Sequence, residues 1–319
     1  MDLTVAIPSC GRSEKLARLL DSLSTQTLAR NRFEVIVGFD GRTCPVDHED
    51  VRVLKLPKAG PAATRNAIIE QARGSVLLLL NDDVVAKPDL LECHLAAHDE
   101  AGLSAGEDLV LGSAPWVVPA DDTLFDRMVR ETSMVFFYNT MNDTSRQRDW
   151  GFRHAWTLNL SLRTKLAREF PFGERLTRAM FEDLEWAYRL AGARSSRVLY
   201  RPEAVVEHDH RYTPEGYLER ERALGAQAIE LARVNPECAQ EIFRADVTSR
   251  EFVRACAESI ELQHYCCAEL EREFLELPLR SPGSCSDIEA LYELFRPLKK
   301  HHWHQGLVAA SAALGIAAA

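Results

Sequence analysis

The sequence predicts an α/β fold in which a mostly parallel central sheet is flanked by helices. Strand-like and helix-like segments alternate over the first 110 residues, which is typical of such sheets. One strand-like segment, SVLLLL at 75–80, is almost wholly apolar, as in strands that are buried on both faces. Two of these segments end in acids, at Asp40 and at Asp82–Asp83. Because open α/β sheets bind ligands beyond the carboxyl ends of their strands, we expect a functional site there.

Each element of the first part follows from its local pattern. The helix at 13–27 has leucines at helical spacing, with Ser13 as the expected N-cap. The other elements are a strand at 3–9, strands at 33–41 and 51–57, a helix at 61–73, the strand at 75–80, a helix at 88–102 and a strand at 108–118.

The pattern changes twice further along the chain. Residues 121–212 are mixed, with a helix near 122–141, a helix through 181–193 and a pair of strands in 195–210. After Tyr212 only helical periodicity is found. We therefore expect two parts, an α/β domain at 1–212 and an α-helical C-terminal extension at 213–319.

Composition narrows the classes of partner. The chain has 48 acidic and 38 basic residues, a formal net charge of −10, which argues against nucleic-acid binding. Eight cysteines without paired Cys-x-x-Cys spacing, and an N-terminus without the features of a secretory signal, favour reduced thiols and a cytoplasmic location. The tail at 306–319 is too short to cross a bilayer. We favour a packed terminal helix there over contact with a membrane surface or partner, and we interpret the HHWH cluster at 301–304 as a surface feature.

Five segments in order resemble the family-two glycosyltransferases with a GT-A fold. They are VAIPSCGR at 5–12, EVIVGFDG at 34–41, GPAATRNAIIEQARGSVLLLLNDDV at 60–84, TLNLSLR with FEDLEWAYRLAGAR at 157–163 and 181–194, and YLERERALG at 217–225. The resemblance covers about residues 3–225. It implies an inverting transfer of a sugar from a nucleotide-diphosphate donor, such as a UDP- or GDP-sugar, to a hydroxyl acceptor.

By the resemblance, Asp83 is the metal-binding acid and Asp82 its neighbour on the donor side, although Asn81 replaces an Asp of many relatives. Carboxylate and phosphate oxygens together suit Mn²⁺ or Mg²⁺, so a divalent metal is the expected cofactor. His208 matches a further metal ligand, and His210 competes with it because it lies two residues on in a strand-like segment. The alternative is an Asp-rich turn that caps the next helix.

The resemblance also implies donor contacts for Pro8 and Arg12 in the opening segment, for Asp40 and for Arg65. Phe39 and Cys10 depart from the family pattern, which leaves the choice of nucleotide open. Asp40 with Gly41 would by itself indicate a turn. Arg12 and Arg65 have the alternative of being exposed surface arginines.

On the acceptor side, Asp183 matches the general base and Glu182 an acceptor contact. A single carboxylate suffices for inversion, since it takes the acceptor proton as the oxygen attacks. The alternative is that both acids only favour a helix N-terminus. Trp150 and Asn159 would border the acceptor, whereas Trp156 is expected to fill the core.

We therefore expect a glycosyltransferase of polysaccharide or glycoconjugate synthesis, with a glycan, glycolipid or other hydroxyl acceptor. One rival is a nucleotidyltransferase, for which PSCGRSEK is a poor triphosphate-binding loop. Another is a non-catalytic module that binds sugar nucleotides or glycans. The donor sugar, the oligomeric state and a peripheral position at the cytoplasmic membrane face are left open by the sequence.

Overall fold

The computed structural model describes residues 1–46, 48–100, 107–141 and 145–316. The strands are β1 Leu3–Ser9, β2 Phe33–Asp40, β3 Val51–Leu56, β4 Val76–Leu80, β5 Val84–Ala86, β6 Leu109–Ser113, β7 Asn159–Arg163 and β8 Val198–His208. The helices are α1 Ser13–Ser24, α2 Pro61–Gln71, α3 Leu90–Asp99, α4 Leu124–Glu131, α5 Thr164–Glu169, α6 Glu182–Arg194, α7 Pro214–Val234, α8 Pro236–Phe243, α9 Arg250–Leu275 and α10 Ile288–Ala313.

In the part of the chain that the structure describes, eight strands form one mixed sheet in the order β3-β2-β1-β4-β7-β6-β8-β5. The first four are parallel, and so is the pair β6–β8, whereas β7 and β5 run antiparallel to their neighbours. All residues of β4 are buried, as its apolar run predicts. Because β1, β2 and β4 are parallel, the segments that follow Ser9, Asp40 and Leu80 leave the same edge of the sheet.

The chain divides into two compact units. The first consists of residues 1–117 and 142–210 and contains the whole sheet, and the second consists of residues 118–141 and 211–319. The predicted division at 212/213 is not identical to this one, since residues 118–141 group with the C-terminal helices.

The second unit contains α4 and α7 to α10. Helices α7 and α10 approach closely at Gly225 and Gly306, where an added Cβ would lie 1.9 Å from Trp303 O and 1.8 Å from Arg222 O. Within the described residues, no helix is both long enough and apolar enough to span a membrane. The terminal helix packs as expected, with Leu307 and Ser311 buried, and residues 317–319 lie outside the described part.

Four local predictions were wrong. Ser13 is the first residue of α1 and not its cap, because Arg12 holds the N-cap position. The helix near 122–141 is only α4, which begins at a capping box between Thr123 and Asp126. The strand pair in 195–210 is the single strand β8. The histidines of HHWH are buried in α10 and do not form a surface feature.

Candidate active site

Asp82 follows β4 and is held by the end of β1. Its carboxylate, 1% exposed, accepts a hydrogen bond from Ser9 Oγ at 2.6 Å and another from the Arg12 guanidinium. Arg12 reaches it from the N-cap position of α1. Burial raises the pKa of Asp82, and the charge of Arg12 opposes that rise. Arg12 is therefore not only a surface arginine, since its side chain is 39% exposed but its guanidinium pairs with both acids.

Asp83 is buried among three basic side chains. Its Oδ2 accepts a hydrogen bond from Arg12 Nη1 at 2.7 Å and lies 3.3 Å from His210 Nδ1, while Oδ1 lies 3.8 Å from His208 Nε2. Burial would raise the pKa of Asp83, but the interactions with His208, His210 and Arg12 outweigh it and hold the pKa well below its usual range. The carboxylate is therefore charged, as a cation ligand must be.

The short ladder between β5 and β8 brings the histidines to Asp83. Val84 pairs with His208, and Asp209 N donates to Asp83 O at 2.8 Å. The ring of His208 packs against Trp116, with centroids 4.2 Å apart and ring planes tilted by 31°, and His208 N donates to Pro115 O at 2.7 Å. Sequence reasoning placed Trp116 in a strand and missed this contact, which fixes the plane of the imidazole. Burial lowers the pKa of His208, so the ring favours the neutral form that ligates metals.

Asp83 and His208 suit a divalent cation that takes its other ligands from a substrate. Asp83 Oδ1 is buried and accepts no hydrogen bond from the described residues. Across the same residues, no three His, Cys, Asp or Glu side chains are placed to hold a metal by themselves. Mg²⁺ and Mn²⁺ at phosphate sites need only one or two protein ligands beside phosphate oxygens and water. The residues therefore fit a metal bound together with a diphosphate.

Asp40 builds the turn into α2. Its Oδ1 accepts from the backbone N–H groups of Ala59 at 2.6 Å and Gly60 at 3.1 Å. Gly60 has φ +94°, and a Cβ there would lie 2.2 Å from Thr177 O. Only glycine tolerates both conditions. Asp40 thus sets the loop that packs against the segment before α6, and its contact with a donor stays a prediction.

Helix α2 is tied to the start of α6 by buried polar contacts. Arg65 Nη1 donates to Glu182 Oε1 at 2.7 Å, and both side chains are at most 5% exposed. Asn66 binds the backbone of Phe172 twice, through Nδ2 to O at 3.0 Å and through Oδ1 from N at 2.8 Å. The interpretation of Arg65 as an exposed helix arginine is therefore wrong.

Asp183 stands beside this ion pair at the first turn of α6. The preceding residue, Phe181, has φ +66°, a left-handed conformation that costs energy for an aromatic residue. Asp183 Oδ1 lies 2.9 Å from Leu184 N, which donates to it. Burial, with the nearby charge of Glu182, raises the pKa of Asp183 to about 7, although Arg65 opposes the rise. Such a pKa suits a group that exchanges protons near neutrality.

The other predicted acceptor residues are placed differently. Asn159 is fully buried in β7, where Nδ2 donates to Ser113 O at 3.0 Å and Ala204 O at 2.9 Å and Oδ1 lies 2.9 Å from His94 Nε2. Its prediction as an acceptor contact is not supported, because all its polar groups are engaged in the core.

Three further predictions concern apolar and aromatic residues. Trp150 is partly exposed, and the Arg148 guanidinium lies over its ring, 3.9 Å from the ring centroid. Trp156 is 7% exposed, so its assignment to the core is confirmed. Pro8 lies in β1 opposite Gly38 of β2, and its contact with a donor stays a prediction.

Comparison with known proteins finds a family model that matches part of the chain. Residues 4–153 match the family model described as "Glycosyl transferase family 2". The match makes residues 4–153, just under half of the chain, similar to glycosyl transferase family 2. The matched part includes Arg12, Arg65, Asp82 and Asp83, whereas Asp183 lies beyond it.

Curated relatives of the chain carry transferase names. The chain is 29% identical over 256 residues to a pre-mycofactocin glycosyltransferase of Mycobacterium tuberculosis, covering 74% of this chain and 48% of that protein. It is 28% identical over 277 residues to a validoxylamine A glucosyltransferase of Streptomyces hygroscopicus, covering 78% of this chain and 64% of that protein. The chain thus spans about half the length of the first of these relatives and under two thirds of the second.

A solved structure shares the fold of the domain. The mannosyltransferase PcManGT of Pyrobaculum calidifontis, in complex with GDP-Man and Mn²⁺, matches with a TM-score of 0.51 at 14% identity, covering 98% of this chain and 86% of that one. The predicted fold class, an α/β fold of the GT-A type with C-terminal helices, is confirmed.

Proposed function

We propose that the protein is an inverting glycosyltransferase that moves a sugar from a nucleotide-diphosphate donor to a hydroxyl acceptor. The observation that carries the proposal is Asp183, whose pKa of about 7 and place beside the Arg65–Glu182 pair suit a general base in a family 2 domain. The domain family and the transferase names of the relatives support the same reaction class.

Asp183 accepts the proton of the acceptor hydroxyl as that oxygen forms a bond to the anomeric carbon. The bond from the anomeric carbon to the diphosphate oxygen breaks on the opposite face, so one displacement inverts the configuration. No covalent intermediate with the protein is needed. Glu182 is fixed by Arg65 and keeps a negative charge next to Asp183, which makes Asp183 a stronger base.

Asp83 and His208 would hold a divalent cation, Mn²⁺ or Mg²⁺, on the donor side. When bound, the metal supplies a Lewis acid that neutralises charge on the departing diphosphate. Trp116 keeps the imidazole of His208 turned for this task. The proposed donor contacts remain Pro8, Arg12, Asp40, Arg65 and Asp82.

The donor is proposed to be a UDP- or GDP-sugar, and the acceptor a glycan, a glycolipid or another hydroxyl compound of polysaccharide or glycoconjugate assembly. A cytoplasmic location is part of the same proposal. Since one relative is named a glucosyltransferase and the protein with the same fold binds GDP-Man, glucose and mannose donors are the first to test.

The decisive experiment measures nucleotide release and sugar transfer from a panel of UDP- and GDP-sugars, with and without Mn²⁺. Wild type is compared with Asp183→Asn and with the matched exposed change Asp99→Asn, whose carboxylate is 79% exposed. Asp183→Asn should lower turnover by roughly 10²–10⁴-fold and still bind donor, while Asp99→Asn should leave turnover unchanged. Equal, feeble turnover by wild type and Asp183→Asn with donor bound would favour a non-catalytic binding module. Failure of wild type to bind any nucleotide-sugar in Mn²⁺ would reject the donor site.

A further inference from the structure

Arg12 bridges the two carboxylates that follow β4. One end of its guanidinium pairs with Asp82 Oδ1, and Nη1 donates to Asp83 Oδ2 at 2.7 Å. The two carboxylates are at most 5% exposed, whereas the Arg12 side chain is 39% exposed. The buried acids therefore take their counter-ion from the chain itself, and that counter-ion has a side open to solvent.

A divalent cation on Asp83 would share this carboxylate with Arg12. Asp82 and Asp83 carry two negative charges, and Arg12 neutralises one of them. With a divalent cation alone, the two carboxylates, the cation and Arg12 would sum to a charge of +1, and the cation and the guanidinium would lie as like charges on the same buried carboxylate. Like charges in such surroundings repel strongly. The diphosphate of a donor would remove this excess.

We propose that Arg12 is an internal counter-ion that competes with the metal for Asp83 and is drawn to the donor's diphosphate when both bind. The inference rests on the proposed function. The planar fork of a guanidinium binds phosphate oxygens as readily as carboxylate oxygens, so Arg12 exchanges one anion for another. Its partly exposed side chain allows this exchange without opening the core. Asp82 keeps its hydrogen bond from Ser9 throughout.

Cooperative binding follows from this competition. Without nucleotide, Arg12 holds Asp83 and weakens its affinity for the metal. With a nucleoside diphosphate bound, Arg12 turns to the phosphates and Asp83 is released. By thermodynamic reciprocity the metal must then raise the affinity for the nucleotide by the same factor. The protein would thus load donor and metal together.

The test is a titration with Mn²⁺, followed by the electron paramagnetic resonance signal of the free ion, without nucleotide and with UDP or GDP. The variants are wild type, Arg12→Gln and the control Arg18→Gln. Arg18 is on the same helix and pairs with Asp209 at 2.6 Å, so its loss removes an equal charge without touching Asp82 or Asp83. In wild type, UDP or GDP should tighten Mn²⁺ binding by about tenfold or more. Arg12→Gln should bind Mn²⁺ alone about tenfold tighter than wild type and show a correspondingly smaller effect of the nucleotide, because only ligation by the phosphate oxygens remains. Arg18→Gln should behave as wild type.

Equal Mn²⁺ affinity of wild type and Arg12→Gln without nucleotide, or an equal effect of the nucleotide in both, would overturn the proposal while leaving the proposed function standing. Absence of Mn²⁺ and nucleotide binding in wild type would overturn both.

If Arg12→Gln does not fold in a melting experiment, Arg12→Lys replaces it. A lysine keeps the charge but bridges the carboxylates poorly, so its Mn²⁺ affinity without nucleotide should lie above that of wild type. An unchanged affinity would again contradict the proposal.

Discussion

Arg65 Nη1 lies 2.7 Å from Glu182 Oε1, although the two residues are 117 positions apart in the chain. Both side chains are at most 5% exposed, and Glu182 is the residue before Asp183. The Phe172 ring lies 5.4 Å from the centre of the Arg65 guanidinium and shields it further. This ion pair joins α2 to the first turn of α6, and so it determines both the place and the electrostatic surroundings of Asp183.

Loss of Arg65 should destabilise the fold strongly. Arg65→Met removes the cation and leaves the charge of Glu182 buried without its partner, a change that typically costs about 3–5 kcal/mol. The free energy of unfolding is measured in urea. The control is Arg194→Met, because Arg194 pairs with Glu169 at the surface with both side chains about 40% exposed, and it should cost under about 1 kcal/mol.

The double variant Arg65→Met with Glu182→Met separates the ion pair from simple packing. It removes both charges, so it should recover a large part of the stability lost in Arg65→Met. A double variant no more stable than Arg65→Met would contradict the assignment of the cost to the unpaired carboxylate.

Activity should depend on pH through Asp183. The raised pKa of Asp183, about 7, means that the base is protonated and inactive below neutrality. The ratio kcat/KM should therefore fall about tenfold per pH unit below pH 7 and level off above it. The measurement is the pH profile of nucleotide release with the best donor of the panel.

Glu182→Gln should move this profile in a known direction. It removes a negative charge next to Asp183 and leaves Arg65 without its carboxylate partner, and both changes lower the pKa of Asp183. The acidic limb should then shift to lower pH. A limb that stays in place or moves upward would show that another group controls it.

The sequence was sufficient for the features that depend on local patterns and on strand order. Runs such as Val76–Leu80 are buried because they are apolar throughout. The acids at the ends of β2 and β4 lie at the same edge of the sheet as the end of β1 because these strands are parallel. The resemblance to the glycosyltransferase family also predicts roles for Asp183 and Asp83, and these roles stay predictions. Both are held in surroundings that shift their pKa values, upward for Asp183 and downward for Asp83.

What the sequence could not show depends on contacts between distant segments. Asn159 has the polarity of a ligand-binding residue, yet its amide is used up by Ser113, Ala204 and His94 within the core. Three neighbouring histidines of α10 look exposed by composition, yet His302 is 1% exposed and lies 3.4 Å from Glu271 of α9. No spacing rule relates such residues to partners that are tens of positions away.

Asp183→Asn should stabilise the protein, and more so at higher pH. The folded pKa of about 7 is above the value of about 3.9 for an unfolded Asp, so the stability that the protonated carboxyl contributes is lost as the pH rises from about 4 to 7. At pH 8 the wild-type carboxylate is charged at a cost, whereas asparagine is neutral at every pH. The rise in Tm of Asp183→Asn over wild type should be larger at pH 8 than at pH 5.

Asp99→Asn is the control for this comparison, since the Asp99 carboxylate is 79% exposed. Its Tm difference from wild type should be the same at both pH values. A Tm difference for Asp183→Asn that does not grow between pH 5 and pH 8 would mean that Asp183 is not charged at a cost in the folded protein.

Gly60→Ala should disturb the site through backbone crowding. A Cβ at this position would lie 2.2 Å from Thr177 O, and the φ of +94° is one that alanine rarely adopts. The loop from Pro171 to Phe181 would have to move, and with it the turn that begins α6 and carries Asp183. We expect a loss of stability of about 2 kcal/mol or more, together with a lower kcat.

The matched control is Gly192→Ala in α6, where an added Cβ meets nothing within 4 Å. That change should stabilise the helix by up to about 1 kcal/mol and leave kcat unchanged. Urea unfolding and turnover measured on both variants decide the matter, because equal effects of the two substitutions would rule out a role for the close approach of Gly60 to Thr177.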